Sequence, residues 1–476
     1  MAEYIIQKKV IEWLYNIRFW IFLFFIVRLI GITNPPLEVS HNWRQSVVTM
    51  VSRNFLEIDN NILYPRVDIA GEKSGITGME FPLLNYLIYL ISEFFGYEHW
   101  YGRLINLIVS SIGLFFFYKL LRMFFQKNLA FNATLILLFS IWFTFSRKIM
   151  PDTFSMSLVI TSIYFGFNYL CNKKEKLFSI NLLLHFALLA LGVLSKLPSA
   201  YLITIYIIPL LNQKICLKRK VCFSFFTLSS LFLPAIWYFY WFPYLINTYG
   251  FSYFFMGRNL NQGIQEISEN LPQTLKKIYA DAIKYIGFFF FLYGFIMAII
   301  KKQKILLYIL FLSFLGFIFI ILKGGYNFAH HNYYIIPFVP IMALIASYGV
   351  SNIKYKKIAL ICIIGICAEG GLNQLHDFII SDEQLTLVEL EKDLDKVSNH
   401  SDLILINSDE HPTPMYFSHR KGWIASDHEI RKHEYIENLK KIGLKFIVIL
   451  TQKSSHDFKL EYPVVYKNEK YCIYQI

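Results

Sequence analysis

The chain has 476 residues, of which 55% are hydrophobic and 18% aromatic, with only 17% charged. That composition excludes a soluble globule and gives a polytopic α-helical membrane protein. The net charge of +13 does not mark a nucleic-acid binder, because much of the Lys and Arg falls in short clusters between apolar runs, where it sets orientation and meets anionic lipid.

Five of the six cysteines lie in or beside apolar runs and only Cys472 lies in the polar tail, so neither a disulfide framework nor a zinc site is expected. Lys8 and Lys9 precede an apolar stretch, 13–33, with no small-residue cleavage site after it, which reads as a retained first helix. Arg28 sits near its far end, either snorkelling to the interface or facing an anionic ligand. Residues 34–78 are polar and too many for a turn. Within them Val47, Val48, Val51 and Phe55 have helical spacing, with Arg44, Gln45 and Arg53 on other faces, so 43–56 reads as a helix lying on the membrane interface. The apolar piece 81–96 is short for a span and carries Pro82, Asn85 and Glu93. Read as a juxtamembrane helix, it leaves the basic clusters at 119–127, 173–176, 214–220, 301–304 and 354–357 all on the side of Lys8 and Lys9.

That arrangement predicts about eleven spans, at approximately 13–33, 101–121, 129–145, 154–170, 178–194, 197–211, 221–242, 285–300, 305–322, 333–350 and 358–372. The outer side then receives 34–78, 146–152, Ser195-Lys196, 243–284, 323–332 and the tail. The stretch Ser146-Arg147-Lys148-Ile149-Met150-Pro151-Asp152-Thr153 stands out, because three of its eight residues are charged between two apolar runs. Charge at that depth marks a water-filled cavity or a functional site by default. The prolyl bond disfavours helix at Met150 and puts Asp152 near the start of the next helix, where the dipole favours an anion. A capping aspartate beside snorkelling cations is the plainer alternative.

From Asn373 the composition changes. Helical periodicity at 385–397 and 434–442, with strand patterns at 403–406, 446–450, 462–466 and 471–476, predicts a small α/β domain over 373–476, behind a membrane module of 1–372 whose loop and juxtamembrane helices occupy 34–100. Glu410 to Pro414, with His419 and Arg420, reads as a loop at a strand end. No glycine-rich phosphate loop or nucleophile elbow is present.

The Arg/Lys-x-x-Pro-Asp element ending the second outer loop, Lys196-x-Pro198 after the fifth span, and His331-Asn332-Tyr333-Tyr334-x-x-Pro337 together resemble the GT-C superfamily. Within it the chain is most similar to the group of protein O-mannosyltransferases and lipid A aminoarabinose transferases. The resemblance covers roughly 10–350 and rests on order and spacing. It implies an integral membrane enzyme that takes a sugar from a polyprenyl-phosphate carrier and passes it to a lipid, glycan or protein acceptor. Its place would be the bacterial cytoplasmic membrane, with the active site and the tail on the extracytoplasmic side. It also implies that Asp152 is the second-loop acid, that Lys196 approaches the carrier phosphate, and that His331 and Tyr333 lie near that phosphate. The first loop departs from the pattern: Glu38 is the sole carboxylate before Asp59, so Glu38 is the candidate base with His41 second. Where the family has a lysine, this chain has Glu80, which would repel an acidic or phosphate group. Arg44 and Gln45 complete the loop's polar set.

The chemistry gives the same residue types a use. Displacing a lipid phosphate from an anomeric carbon needs a base for the acceptor proton and cations for the leaving phosphate. Glu38 or Asp152 can supply the first; Arg147, Lys148, Lys196, Arg258, His330 and His331 can supply the second. A single displacement inverts the anomeric centre. No cofactor is expected; some family members hold a divalent cation between two acidic loops, and the oxygen ligands here are too few to predict one. The alternatives are a lipid-linked glycan polymerase, flippase or transporter, which would favour internal repeats, and a membrane scaffold.

Overall fold

The computed structural model describes residues 12–255, 257–451 and 459–476; Lys8 and Lys9 of the orientation argument lie outside them. The principal helices are α1 (Ile17–Leu29), α2 (Asn42–Glu57), α3 (Leu83–Phe95), α4 (Tyr101–Arg122), α5 (Lys127–Phe139), α6 (Pro151–Cys171), α7 (Ile180–Ser195), α8 (Leu217–Ile236), α9 (Leu260–Glu269), α10 (Lys284–Ile300), α11 (Lys304–Gly324), α12 (Val339–Ser351), α13 (Lys356–Leu372), α14 (Thr413–Ser418) and α15 (His433–Lys441). The strands are β1 (Leu403–Ile406), β2 (Gly422–Ile424), β3 (Leu444–Leu450), β4 (Val464–Lys467) and β5 (Tyr471–Gln475). Among the described residues six helices are long and apolar enough to cross a membrane, or seven if Leu271–Ala282 and Lys284–Ile300, which meet at 94°, form one broken span. Four shorter apolar helices accompany them: Leu83–Phe95, Lys127–Phe139, Ile180–Ser195 and Leu197–Leu211. The chain is an integral membrane protein.

Contacts divide the chain into two compact units that do not follow a single cut in the sequence. One comprises Met1–Ile32, Arg103–Trp237 and Phe255–Leu375; the other joins Thr33–Gly102, Tyr238–Phe254 and His376–Ile476.

The first unit is a helical bundle in which small residues bring backbones together, as they must where lipid gives no hydrophobic drive between helices. A Cβ built on Gly294 of α10 would lie 2.0 Å from the Ile345 carbonyl of α12, and one on Gly349 of α12 would lie 2.4 Å from the Phe290 carbonyl of α10. The α6–α7 pair uses the same device, with Ser155 Oγ donating to the Gly192 carbonyl at 2.7 Å. Arg28 neither snorkels nor faces open space: it is 1% exposed and donates to the Phe24 carbonyl at 3.1 Å and to Ser146 Oγ.

The second unit is built on a five-stranded sheet in the order β2-β1-β3-β5-β4. β1 runs parallel to β2 and β3, whereas β5 is antiparallel to β3 and β4. Side chains alternate along each strand. Ile404, Ile406, Phe446 and Val448 pack with Val47, Met50, Val51 and Phe55 of α2, while Leu405, Ile447 and Ile449 pack with Ile436 and Leu439 of α15. The 43–56 segment is therefore not an interfacial helix but lies in a core helix, α2, with twelve of that helix's sixteen residues buried. Its polar side chains are matched rather than solvated: Arg53 meets Asp68 at 3.0 Å and donates to the Tyr416 carbonyl, and Asn54 donates to Asp68 at 2.7 Å. α3 has thirteen residues and spans about 20 Å, less than the roughly 30 Å of a hydrocarbon core. The segment expected as one helix at 385–397 is a run of short turns, Asp382–Leu385, Thr386–Glu389 and Leu390–Leu394. The 410–420 loop contains buried α14 and leads into β2, a strand too short to show period-two patterning.

Candidate functional site

The site is built around the turn that joins α5 to α6. α5 stops at Phe139, well before the end of its apolar run, because Ser140 leaves the helix. In a bilayer the released backbone groups need partners. Gln374, 1% exposed, supplies them: its Nε2 donates to the carbonyls of Phe139, Ser140 and Gly370, and its Oε1 accepts from the backbone N–H and hydroxyl of Thr144. Asn106 of α4 does the same for the turn itself. Its Nδ2 donates to the carbonyls of Phe145 (2.8 Å), Lys148 (2.8 Å) and Met150 (3.3 Å), and its Oδ1 accepts from Ser110 and Thr153. Sequence reasoning passed over both amides. A polar Asn106 inside an apolar span was the available signal.

Met150 is extended (φ −144°, ψ 143°), as a residue before proline should be, and Pro151 opens α6. Asp152 thus lies in the first turn, favourably placed in the helix dipole, while the N-cap is Met150, whose own side chain makes no cap bond. α7 ends at Ser195 and Lys196 turns extended (φ −159°) ahead of Pro198, which carries the chain into a 3₁₀ helix, Leu197–Tyr206. Lys196 Nζ stands 3.4 Å from Asp152 Oδ1, with side-chain exposures of 12% and 5%. It also lies over the Tyr333 ring, 5.5 Å from the centroid, in a cation–π arrangement. Tyr333 is held by Phe145 on one side and by His331, whose ring lies nearly parallel at 5.5 Å. Tyr201 donates to the Pro337 carbonyl at 2.7 Å and ties the 3₁₀ helix to the same element. Asp152, Lys196, Tyr333 and Tyr334 line one small cavity with Met156, Pro198, Ser199 and Pro337. At about 10 Å³ it holds roughly one water position, so a sugar phosphate needs it to open.

The remaining cations are placed differently. Arg147 Nη1 and Nη2 donate to the carbonyls of Ile30 (2.7 Å) and Gly31 (3.1 Å), and Arg103 donates to that of Ile32 (3.0 Å). Two guanidiniums thereby satisfy the carbonyls just beyond α1, the end where a helix favours cations. Lys148 is fully buried. Arg258 pairs with Glu266 at 2.9 Å. His330 is exposed and stacked on Tyr326 at 3.9 Å. None of these five lines the Asp152 cavity.

Glu38, His41, Arg44, Gln45 and Glu80 belong to the second unit. Glu38 is fully buried, and Val39 beside it donates its N–H to the Ile379 carbonyl at 2.9 Å. His41 adopts a left-handed conformation (φ 58°) at the start of α2, a strained position for a non-glycine residue of the kind that gathers at functional sites. Arg44 forms an ion pair with Glu80 and lies over the Phe254 ring. That pairing offsets the Glu80 charge, so the repulsion expected of it toward an acidic group is compensated within the loop. Gln45 is fully buried one position further on. A different constellation, Glu391, His400 and His419, is the one group among the described residues with three His or carboxylate ligand atoms within 4.8 Å of each other. Its members are engaged in ion pairs with Glu57, Asp395 and one another.

A family model described as dolichyl-phosphate-mannose-protein mannosyltransferase matches residues 80–239, a stretch that contains Asp152 and Lys196. No curated protein sequence matches the chain at a significant level. Among solved structures, ArnT from Cupriavidus metallidurans bound to undecaprenyl phosphate is similar with a TM-score of 0.54 at 10% identity, over 96% of this chain and 98% of that one. The same protein in its apo state gives 0.58 at 11% identity, over 96% and 97% of the two chains. The oligosaccharyltransferase of Archaeoglobus fulgidus, in complex with Zn and sulfate, gives 0.58 at 13% identity, over 90% of this chain and 67% of that one. Family segment and fold agree with the GT-C resemblance read from the sequence: residues 80–239 match that family model, and the chain shares the fold of these solved structures.

Proposed function

We propose that the protein is a glycosyltransferase that moves a sugar from a polyprenyl-phosphate carrier to a lipid, glycan or protein acceptor by a single inverting displacement. The observation that carries this reading is the convergence of Asp152, Lys196 and Tyr333 on one cavity, from three separate stretches of chain. In the proposed reaction the acceptor hydroxyl loses its proton to Asp152, its oxygen bonds to the anomeric carbon, and the carbon–phosphate oxygen bond breaks. Lys196 takes up the charge that builds on the leaving phosphate, with Tyr333 and His331 beside it. Glu38 with His41 as its alternate, Arg44, Gln45 and Glu80 of the substrate loop, and Arg147, Lys148, Arg258 and His330 for the carrier phosphate enter the proposal from the sequence alone. No metal step is invoked.

The similarity to a structure holding undecaprenyl phosphate supports a carrier of that class. The proposal places about eleven spans in a bacterial cytoplasmic membrane, counting short helices such as Ile180–Ser195 as crossing with their flanks, and puts the site and the α/β tail on the extracytoplasmic side. The direct test is release of free polyprenyl phosphate from a labelled polyprenyl-phosphate sugar by purified protein in detergent. Equal release by wild type and by Asp152→Asn would remove the proposal.

A further inference from the structure

A second and larger pocket lies in the helical unit, lined mostly by the beginnings of α1 and α5 and the ends of α4 and α6. Arg103, near the start of α4, bonds to Ile32 beyond the end of α1, while Lys119 near the end of α4 shares a ring with Arg18 near the start of α1. The two helices are therefore antiparallel. The twenty-two residues of α4 separate those ends by about 30 Å. Asp152 opens α6 and Asn168 of the pocket lies sixteen positions further on, about 24 Å along the helix. The pocket is thus at the opposite end of the bundle from the Asp152 cavity.

Its volume is about 560 Å³, within the range of small-molecule sites. Four cationic side chains, Arg18, Lys119, Arg122 and Lys127, line it against one carboxylate, Glu12. All four are exposed, and among the described residues none of them pairs with a carboxylate. Two cations are drawn to one ring: Arg18 lies 5.5 Å and Lys119 5.7 Å from the centroid of Phe115, and Lys119 is also 5.1 Å from that of Tyr164. Cations gathered on one pocket repel one another, and an anion bound in it offsets that repulsion. The face of α4 that carries Lys119 and Phe115 continues, at helical spacing, through Ile112 and Ile108, both over 40% exposed. A phosphate seated among the cations would therefore have an apolar track leading away from it along the helix.

We propose that this pocket binds the phosphate of an anionic phospholipid, with an acyl chain laid along Ile112 and Ile108. A basic cluster that only orients the chain needs neither a walled cavity nor an apolar track, and a soluble phosphate compound needs no track. The experiment uses the full chain, delipidated in neutral detergent, titrated with phosphatidylglycerol or with phosphatidylcholine. The test pair is Arg18→Gln with Lys119→Gln; the control pair is Lys301→Gln with Lys302→Gln, from another basic cluster. The proposal expects phosphatidylglycerol to bind the wild type and the control pair alike, and the test pair about tenfold more weakly or worse. Phosphatidylcholine should be indifferent to both. Arg18→Lys with Lys119→Arg keeps the charges and should keep the binding, which separates a binding loss from a folding defect. Equal weakening in test and control pairs, or unchanged binding in the test pair, overturns the proposal. Competition by inorganic phosphate as effective as that by the lipid overturns the lipid as occupant.

Discussion

Asp152 and Lys196 are each placed by a proline: Pro151 starts the helix one residue before the aspartate, and Pro198 turns the chain two residues after the lysine. Asp152 lies in the first turn of α6, behind the N-cap Met150, so the isosteric Asp152→Asn change costs the helix about 1 kcal/mol or less and the fold should persist. Turnover in the polyprenyl-phosphate release assay should fall by about 10² or more, with an unchanged elution profile in detergent; wild-type turnover in the Asn variant would leave Asp152 with no catalytic role. For Lys196→Ala, the loss of a charge-assisted contact worth roughly 1.5–3 kcal/mol should lower kcat/KM for the donor at least about tenfold. Lys196→Arg should not restore it, since the broader guanidinium must fit a cavity of about 10 Å³ against Tyr333. Donor kinetics at fixed acceptor decide this, and an unchanged kcat/KM in either variant takes Lys196 out of the donor site.

At the scale of elements, the turn before α6 is held by amides contributed from elsewhere in the helical unit. Asn106→Ala would leave the carbonyls of Phe145, Lys148 and Met150 without that donor. We expect a lower melting temperature, from a loss of roughly 1–3 kcal/mol, together with a fall in kcat larger than any change in donor KM. A change confined to KM would mean that Asn106 does not position Asp152. The second unit has its own fastening. His419, left-handed (φ 49°) just after α14, is 2.8 Å from Glu57 at the end of α2 and 2.5 Å from Glu391. Burial works against its charge, but the hydrogen bonds to Glu391 and Glu57 outweigh burial and hold its pKa at about 9, above the ordinary 6.5. A raised pKa stabilises the fold fully below the unfolded value and ceases to do so as pH climbs through the folded one. The melting temperatures of wild type and His419→Gln should therefore differ most below about pH 6.5 and converge above about pH 9. A difference that does not vary with pH would show that the His419 charge is not what fastens the two segments.

For the whole molecule the open quantity is the side of the membrane on which each end lies. The basic clusters, among them Lys127, and the short α3 argue for an outer tail. Cysteine substituted at Lys127 should resist an impermeant thiol reagent applied to intact cells, and cysteine at Ser381 should react. The reverse pattern would invert the topology and with it the proposed side of chemistry.

Composition and apolar run lengths determine a membrane protein by themselves, because a bilayer admits so few backbone solutions. The Met150-Pro151-Asp152 turn and the strand at Leu403–Ile406 were equally legible, since proline restricts its neighbour and a short branched-chain run has one comfortable conformation. Tertiary structure alone decided which polar groups meet. Six candidate cations in the helical unit looked alike in sequence, yet of these only Lys196 lines the Asp152 cavity with Tyr333, while Arg147 caps α1 and Arg258 pairs with Glu266. The same holds for α2, whose polar residues suggested an interfacial helix until Asp68 and Tyr416, distant in sequence, proved to be their partners. Hydrophobic periodicity records which face of an element is apolar, but a buried polar group is explained by a partner that no local pattern reveals.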